Sequence, residues 1–194
     1  MKILVTGGNR GLGKHFVDIL GATGISRNIG FDITKNTKEI ANLSLEFDVF
    51  INNAFDGPPQ DAWANFAQSN LYFDVYDAWK TANKPGYIFN IGSSGGKSIV
   101  APEPRFETYR VSKVALEQAS KQGTQAFKQN LVPFKTTLIS PDRLDTELSR
   151  SRPSWTGNGI ELIDISNFIN FAIGCNSNTC IEEITFYCNL DYKA

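Results

Sequence analysis

The sequence predicts a doubly wound α/β fold, in which one parallel sheet carries helices on both faces. The first observation is the opening stretch, where the apolar run Ile3–Val5 is typical of a strand buried on both faces. Gly7, Gly11 and Gly13 then form a turn, and apolar residues at helical spacing follow it. The second observation is that strand-like and helix-like segments alternate along the chain, which favours a parallel sheet.

Length and composition indicate one globular domain spanning residues 1–194. A domain of this size buries roughly 70% of its unfolded surface. The formal net charge is −1 and no block of lysine or arginine is present, which argues against nucleic acid or an anionic membrane as the main partner. We expect neither a membrane span nor a signal peptide, and therefore a cytoplasmic protein. The three cysteines match no zinc or redox spacing, so we expect no metal site.

The first half of the chain predicts short elements followed by a long helix. The segment 25–34 is extended in character, and is either one strand or two abbreviated strands with no helix between them. Asn36, with Glu39 three residues later, predicts the start of a brief helix. A buried strand is predicted at 47–54. A long helix at 61–82 would place four residues on one face, namely Trp63, Phe66, Asn70 and Phe73.

The second half of the chain continues the alternation. Strands are predicted at 87–91, 135–140 and 183–187, and helices at 108–127 and 164–172. No internal repeat or domain linker interrupts this order, so all the strands are expected to join one sheet.

Two polar segments lie where such a sheet would bind a ligand. The strand 87–91 ends in Gly92-Ser93-Ser94-Gly95-Gly96, at the edge where open α/β sheets hold ligands, although such clusters also form ordinary loops. Tyr109 and Lys113 are four residues apart and therefore share one face of a helix.

Five short motifs follow one another in a fixed order. They are Thr6-Gly7-Gly8-Asn9-Arg10-Gly11-Leu12-Gly13, Asn52-Asn53-Ala54, Asn70-Leu71, Ile91-Gly92-Ser93 and Tyr109-Arg110-Val111-Ser112-Lys113. They resemble, in that order, the T-G-x-x-x-G-x-G loop, the N-N-A-G strand end, the tetrad asparagine, the catalytic serine and the Y-x-x-x-K motif of the short-chain dehydrogenase/reductase family. Each motif alone is weak, but their order and spacing match over residues 1 to about 146.

The resemblance implies a Rossmann-type fold and a nicotinamide cofactor, NADP or alternatively NAD. The pyrophosphate of the cofactor would lie over the glycine loop, at the N-terminus of the first helix. By their positions in the family's motifs, the cofactor-binding residues are Gly7, Asn9, Arg10, Gly11, Leu12, Gly13, Arg27, Asp32, Asn53, Ala54, Tyr109, Lys113, Pro141 and Thr146.

The resemblance also implies a catalytic set of Asn70, Ser93, Tyr109 and Lys113. Tyr109 would exchange a proton with the substrate hydroxyl, and the Lys113 ammonium would lower the tyrosine pKa from about 10. Ser93, which follows a glycine as the family's serine does, is expected in the site in preference to Ser94. Asn70 would anchor a water for proton relay. The implied reaction is hydride transfer between the nicotinamide and a carbonyl or secondary alcohol.

The sequence departs from the family pattern at several places. The region after the first helix has no room for a full second strand, helix and third strand. Phe55 stands in place of the glycine of N-N-A-G, and Asp142 replaces the glycine of the family's P-G motif. The segment 101–104 is an expected insertion before Tyr109. The lid 147–159 is short, so the substrate pocket is either open or completed by another subunit.

Arg10 and Arg27 favour NADP over NAD. An NAD-specific site usually places an acidic residue after the second strand, and Arg27 stands there instead. Two guanidinium groups can hold the 2′-phosphate of NADP through charge-assisted hydrogen bonds. The alternative is that Arg27 points to solvent and Arg10 only caps the loop.

Two functional hypotheses therefore compete. The leading one is an NADP-dependent oxidoreductase, a homodimer or homotetramer that acts on a small carbonyl or alcohol substrate. The other is an NAD(P)-binding regulator that has the fold and no turnover. The sequence does not name the substrate, and Trp155 and the segment 98–106 either line its pocket or pack locally.

Overall fold

Six parallel strands form one sheet in the computed structural model, which describes residues 1–55, 64–97, 107–153, 155 and 157–189. The strands are β1 (Ile3–Thr6), β2 (Thr23–Ile25), β3 (Val49–Asn52), β4 (Gly86–Ile91), β5 (Phe134–Pro141) and β6 (Glu183–Phe186). Their order across the sheet is β2-β1-β3-β4-β5-β6. The helices are α1 (Gly11–Leu20), α2 (Thr37–Ser44), α3 (Ala67–Thr81), α4 (Glu107–Lys128), α5 (Glu147–Arg150) and α6 (Leu162–Gly174).

Helices cover both faces of the sheet. Phe16 of α1 and Ile169 of α6 belong to the apolar core on one face. Ile40 of α2, Trp79 of α3 and Leu116 of α4 belong to the core on the other face. This arrangement confirms the doubly wound fold, and it explains why β1 and β3 are apolar at consecutive positions. No helix in the described ranges is both long and apolar enough to cross a membrane.

The sheet is abbreviated at its β2 edge, as the sequence predicts. β2 pairs with β1 over three residues, from Leu4 opposite Thr23 to Thr6 opposite Ile25. A 3-10 turn, Arg27–Ile29, follows β2, and the chain then passes directly to α2. β2 is the edge strand. Neither alternative for segment 25–34 is correct, because only Ile25 of this segment lies in a strand and residues 26–34 form the 3-10 turn and a loop.

The helix predicted at 61–82 is shorter than expected, and its buried face is different. Residues 61–63, with Trp63, lie outside the described residues, and residues 64–66 form a 3-10 turn before α3. Phe73 is 46% exposed and Asn70 is exposed, so the predicted stripe through these residues is wrong. The buried face of α3 instead carries residues at spacings of three or four, namely Gln68, Leu71, Val75 and Trp79.

Candidate active site

The residues that the sequence singles out gather at the carboxyl edge of the sheet. Since the strands are parallel, their C-terminal ends meet at this edge. β1 leads into the glycine loop, β3 into Asn53-Ala54, β4 into Ser93 and β5 into Asp142. The N-terminal part of α4 adds Tyr109 and Lys113.

Ser93 and Tyr109 are in contact at this edge. The Ser93 hydroxyl forms a hydrogen bond with the Tyr109 phenol, and it accepts one from the backbone N–H of Gly95 at 3.1 Å. Ser94 points elsewhere, because its hydroxyl donates to Oδ1 of Asp142 at 3.0 Å. The structure thus brings Ser93, and not Ser94, to the tyrosine.

The pKa of Tyr109 lies above its ordinary value of 10.0, chiefly because the phenol is buried. The hydrogen bond to Ser93 and the charge of Arg152 act in the opposite direction but do not prevail. The depression expected from Lys113 is not found, since the lysine Nζ lies over the tyrosine ring, 5.5 Å from its centroid. The phenol is therefore protonated at neutral pH and is available as a proton donor.

Lys113 is buried beneath this tyrosine, with 5% of its surface exposed. Its Nζ donates to Oε1 of Gln68 at 2.7 Å and to the Ile91 carbonyl at 3.2 Å. Burial lowers the pKa of Lys113 from 10.5 to about 7, and no carboxylate of the described residues offsets this effect. The lysine therefore sits in a neutral, amide-lined environment.

Asn70 does not join the other three members of the predicted catalytic set. It is exposed on α3, whereas Gln68 is 2% exposed and faces the sheet. Two residues along a helix turn the side chain by about 200°, so only one of the pair can face inward. Sequence reasoning missed Gln68, although its spacing to the later buried residues of α3 was an available signal.

Phe55 covers the Tyr109–Lys113 pair. Its ring meets the Tyr109 ring edge to face, with the centroids 5.0 Å apart and an interplanar angle of 88°. The Lys113 Nζ lies 4.7 Å from the centroid of the Phe55 ring, which is a cation–π distance. The departure from the N-N-A-G motif therefore places an aromatic ring directly on the catalytic candidates.

The glycine loop is fastened to the end of β3. Thr6 Oγ1 accepts hydrogen bonds from the backbone N–H groups of Asn53 and Ala54 at 3.0 and 2.8 Å. The side-chain amide of Asn53 donates to the Thr6 carbonyl at 2.9 Å. A Cβ at Gly13 would lie 2.2 Å from the carbonyl oxygen of Gly7, so only glycine fits there. Asn53 and Ala54 at the end of β3 thus fix the position of the glycine loop.

The N-terminus of α1 presents backbone N–H groups without a side-chain cap. Arg10 occupies the N-cap position and makes no capping hydrogen bond, and the first turn contains no acidic residue. These N–H groups and the helix dipole favour an anion. Asn9, Arg10 and Gly11 are exposed, whereas the Leu12 side chain is buried in the core. A Cβ on Gly11 would lie 3.9 Å from Thr146 Cγ2, which places Thr146 beside the loop.

Arg27 and Asp32 form an ion pair at the β2 edge, with Nε of Arg27 3.4 Å from Oδ2 of Asp32. The backbone N–H of Thr34, which donates to Asp32 at 2.9 Å, is the main cause that lowers the pKa of this carboxyl. Arg27 retains 60% side-chain exposure. Arg27 is therefore exposed to solvent, and it is paired with the carboxylate of Asp32.

The remaining predicted positions fall around the end of β5 or outside the described residues. Pro141 is buried as the last residue of β5 and is paired with Phe186 of β6. Trp155 packs locally, with the Arg143 guanidinium 6.0 Å from its ring centroid. The predicted insertion 101–104 and the rest of segment 98–106 lie outside the described residues.

No family model matches the chain, and no curated protein matches it by sequence. Several solved structures do resemble it. A short-chain dehydrogenase from Burkholderia cenocepacia in complex with NADP has a TM-score of 0.72 at 21% identity, covering 96% of this chain and 90% of the other. A 4-hydroxyisoleucine dehydrogenase complexed with NADH has a TM-score of 0.70 at 22% identity, covering 96% of each chain. A serine dehydrogenase complexed with NADP⁺ has a TM-score of 0.70 at 15% identity, covering 100% of this chain and 97% of the other. The chain therefore has the fold of the short-chain dehydrogenases/reductases.

Proposed function

We propose that the protein is an oxidoreductase that transfers hydride between NADP(H) and a carbonyl or secondary alcohol, with Tyr109 as the acid and base. The observation that carries the proposal is the hydrogen bond between Ser93 and Tyr109, with a buried Lys113 one helical turn away. The resemblance to dehydrogenases solved with NADP and NADH supports the class of cofactor. A regulator without turnover has no need of this serine–tyrosine–lysine arrangement.

The carboxyl edge of the sheet has the features that a dinucleotide needs. The uncapped N-terminus of α1 would receive the pyrophosphate, and the glycines of the loop let it approach the backbone. Asn53, Ala54, Pro141 and Thr146 would complete the walls around it. The ring of Phe55 covers the Lys113 ammonium, so a contact between that ammonium and the cofactor ribose requires the ring to turn aside.

The protein's own groups would handle the proton. The nicotinamide, when bound, supplies or accepts the hydride. Tyr109, which is protonated at neutral pH, would donate its proton to the oxygen of a carbonyl substrate, and Ser93 would hold that oxygen beside the phenol. The Ser93 hydroxyl and the charge of Arg152, which both act to lower the tyrosine pKa, would then stabilise the phenolate that remains until solvent returns a proton. Alcohol oxidation needs the phenolate from the start, so with a raised tyrosine pKa its rate is expected to increase as the pH rises above neutral.

Arg10 is the stronger candidate for the 2′-phosphate of NADP. It is exposed next to the uncapped N-terminus of α1, where no acidic residue competes for it in the first turn. Arg27 is paired with Asp32, whose carboxylate repels a phosphate. We therefore propose NADP as the preferred cofactor and expect NAD to bind as well, more weakly.

The proposal is tested by a turnover screen of the purified protein. NADPH is offered together with a panel of ketones and aldehydes, its oxidation is followed by absorbance, and its binding is measured in parallel by fluorescence titration. We expect substrate-dependent oxidation of NADPH. Binding without turnover on any member of the panel would favour the regulator, and absence of binding would refute both hypotheses.

A further inference from the structure

Gln68 joins α3 to the active-site lysine and to the ends of two strands. Its Nε2 donates to the backbone carbonyls of Asn52 in β3 and Ile91 in β4, at 2.7 and 2.9 Å. Its Oε1 accepts from Nζ of Lys113 in α4 at 2.7 Å. One buried amide therefore contacts three elements that build the site.

The orientation of this amide is fixed by its partners. Two carbonyl oxygens can accept only from the NH₂ group, so the amide oxygen has to face Lys113. The opposite orientation would set the amide oxygen against the carbonyls of Asn52 and Ile91 and would leave two N–H groups against an ammonium. The direction of the contact with Lys113 therefore follows from the backbone and not from a choice of rotamer.

A second hydrogen bond pair holds the backbone of Gln68 in place. The Asn52 side-chain amide donates to the Gln68 carbonyl at 2.9 Å and to Oδ1 of Asn90 at 2.9 Å. Gln68 and Asn52 thus bind each other reciprocally, side chain to backbone in both directions. α3 cannot slide or rotate at this residue without breaking buried hydrogen bonds, each of which is costly to leave unmade.

From this geometry we propose that Gln68, and not Asn70, is the positioning residue for Lys113, and that it aims the ammonium towards Tyr109. An ammonium has three donors, and Gln68 and the Ile91 carbonyl occupy two of them. The third is left for the side of Phe55 and Tyr109, where Nζ faces both rings. The proposal deepens the proposed function and, as a statement about catalysis, rests on it.

The test uses two substitutions of Gln68 that act on Lys113 in opposite directions. Gln68→Glu keeps the size of the side chain and adds a negative charge beside Lys113, although it loses the two hydrogen bonds to the Asn52 and Ile91 carbonyls. The added charge raises the pKa of Lys113 by at least about one unit. Gln68→Leu removes the acceptor and lowers that pKa below the wild-type value of about 7. Asn70→Ala, on the same helix and exposed, is the matched control and leaves the pKa unchanged.

The readout is the pH titration of the Lys113 side chain by NMR in lysine-labelled protein, with the signal assigned by its loss in Lys113→Met. This measurement needs neither cofactor nor substrate. A turnover assay then tests the effect on catalysis. We expect Gln68→Leu to lower kcat/KM at least about tenfold and Asn70→Ala to change kcat/KM less than about twofold. Thermal melts verify that each variant is folded. If Gln68→Leu does not fold, the titration of Gln68→Glu tests the proposal by itself.

Two results would overturn the proposal. One is a Lys113 titration midpoint that stays at the wild-type value in the folded Gln68 variants. The other is an Asn70→Ala variant that shifts the midpoint or the turnover as strongly as the changes at Gln68. A third outcome separates the two proposals. If the two Gln68 variants shift the pKa of Lys113 in opposite directions but the wild-type protein oxidises no NADPH, the contact between Gln68 and Lys113 is supported and the proposed function is refuted.

Discussion

Replacing Lys113 with methionine should make the protein more stable at acidic and neutral pH. The pKa of this lysine falls from 10.5 to about 7 on folding, because the ammonium is buried without a carboxylate of the described residues. At about 1.4 kcal/mol for each tenfold change in affinity for the proton, this fall corresponds to about 3–5 kcal/mol after allowance for local relaxation. Methionine fills a similar volume and carries no charge, so it removes this cost. The loss of the hydrogen bond to Gln68 Oε1, about 1–3 kcal/mol, offsets the gain only in part.

The effect has a definite dependence on pH. Below pH 7 both states hold the proton, and the fold bears the full cost of the buried charge. Between pH 7 and 10.5 the unfolded state binds more protons, so the free energy of unfolding of the wild type rises with pH, by at most about 1.4 kcal/mol per pH unit. In Lys113→Met this rise is absent, and the stability difference between the two proteins narrows as the pH increases.

Urea unfolding at pH 6, 7, 8 and 9 measures the free energy of unfolding of wild type and Lys113→Met as a function of pH. The tyrosine and cysteine residues, whose titration also affects stability at alkaline pH, are the same in both proteins and cancel in the difference. Lys14→Met, a change at a side chain that is 58% exposed, serves as the control and should follow the wild-type curve. Parallel curves for wild type and Lys113→Met would refute the claim that Lys113 is buried without a compensating carboxylate.

Five further substitutions test the cofactor and substrate contacts. Phe55→Gly should tighten NADPH binding about 5- to 30-fold, because the bound cofactor no longer has to displace a ring held by cation–π and edge-to-face contacts; unchanged affinity in a fluorescence titration would contradict this. Ser93→Ala should lower kcat/KM about 10²-fold and Ser94→Ala less than about threefold, whereas equal losses would show that the wrong serine is assigned. Arg10→Ala should narrow the preference for NADPH over NADH about tenfold and Arg27→Ala less, since an aspartate already pairs with the latter. The account of the 2′-phosphate fails if neither variant changes the two dissociation constants.

The order of elements could be predicted from the sequence because local signals agree with the fold. The apolar runs of β1 and β3 are too continuous for one-sided strands, and the glycine turn after β1 marks the first crossover. The short edge at β2 was also visible, since residues 25–34 leave too little chain for two strands and a helix. The length of this segment alone was enough to predict the abbreviated edge of the sheet.

The interior of the site depends on contacts that sequence spacing does not report. The motif match placed the amide of the set at Asn70, but α3 begins only at Ala67, and its rotation turns Gln68 to the sheet and Asn70 to solvent. Likewise, the effect of Phe55 follows from where its ring lies against Tyr109 on α4, far along the chain. A substitution in a motif shows that something has changed, and only the three-dimensional arrangement shows what it contacts.

Turnover by Tyr109→Phe is the most direct test of the central claim, which is that the Tyr109 phenol exchanges the proton with the substrate. The variant keeps the ring that packs against Phe55 and removes only the hydroxyl. We predict that kcat/KM for carbonyl reduction falls roughly 10²- to 10⁴-fold, while the NADPH dissociation constant changes less than about twofold. A variant that retains half of the wild-type rate would contradict the claim.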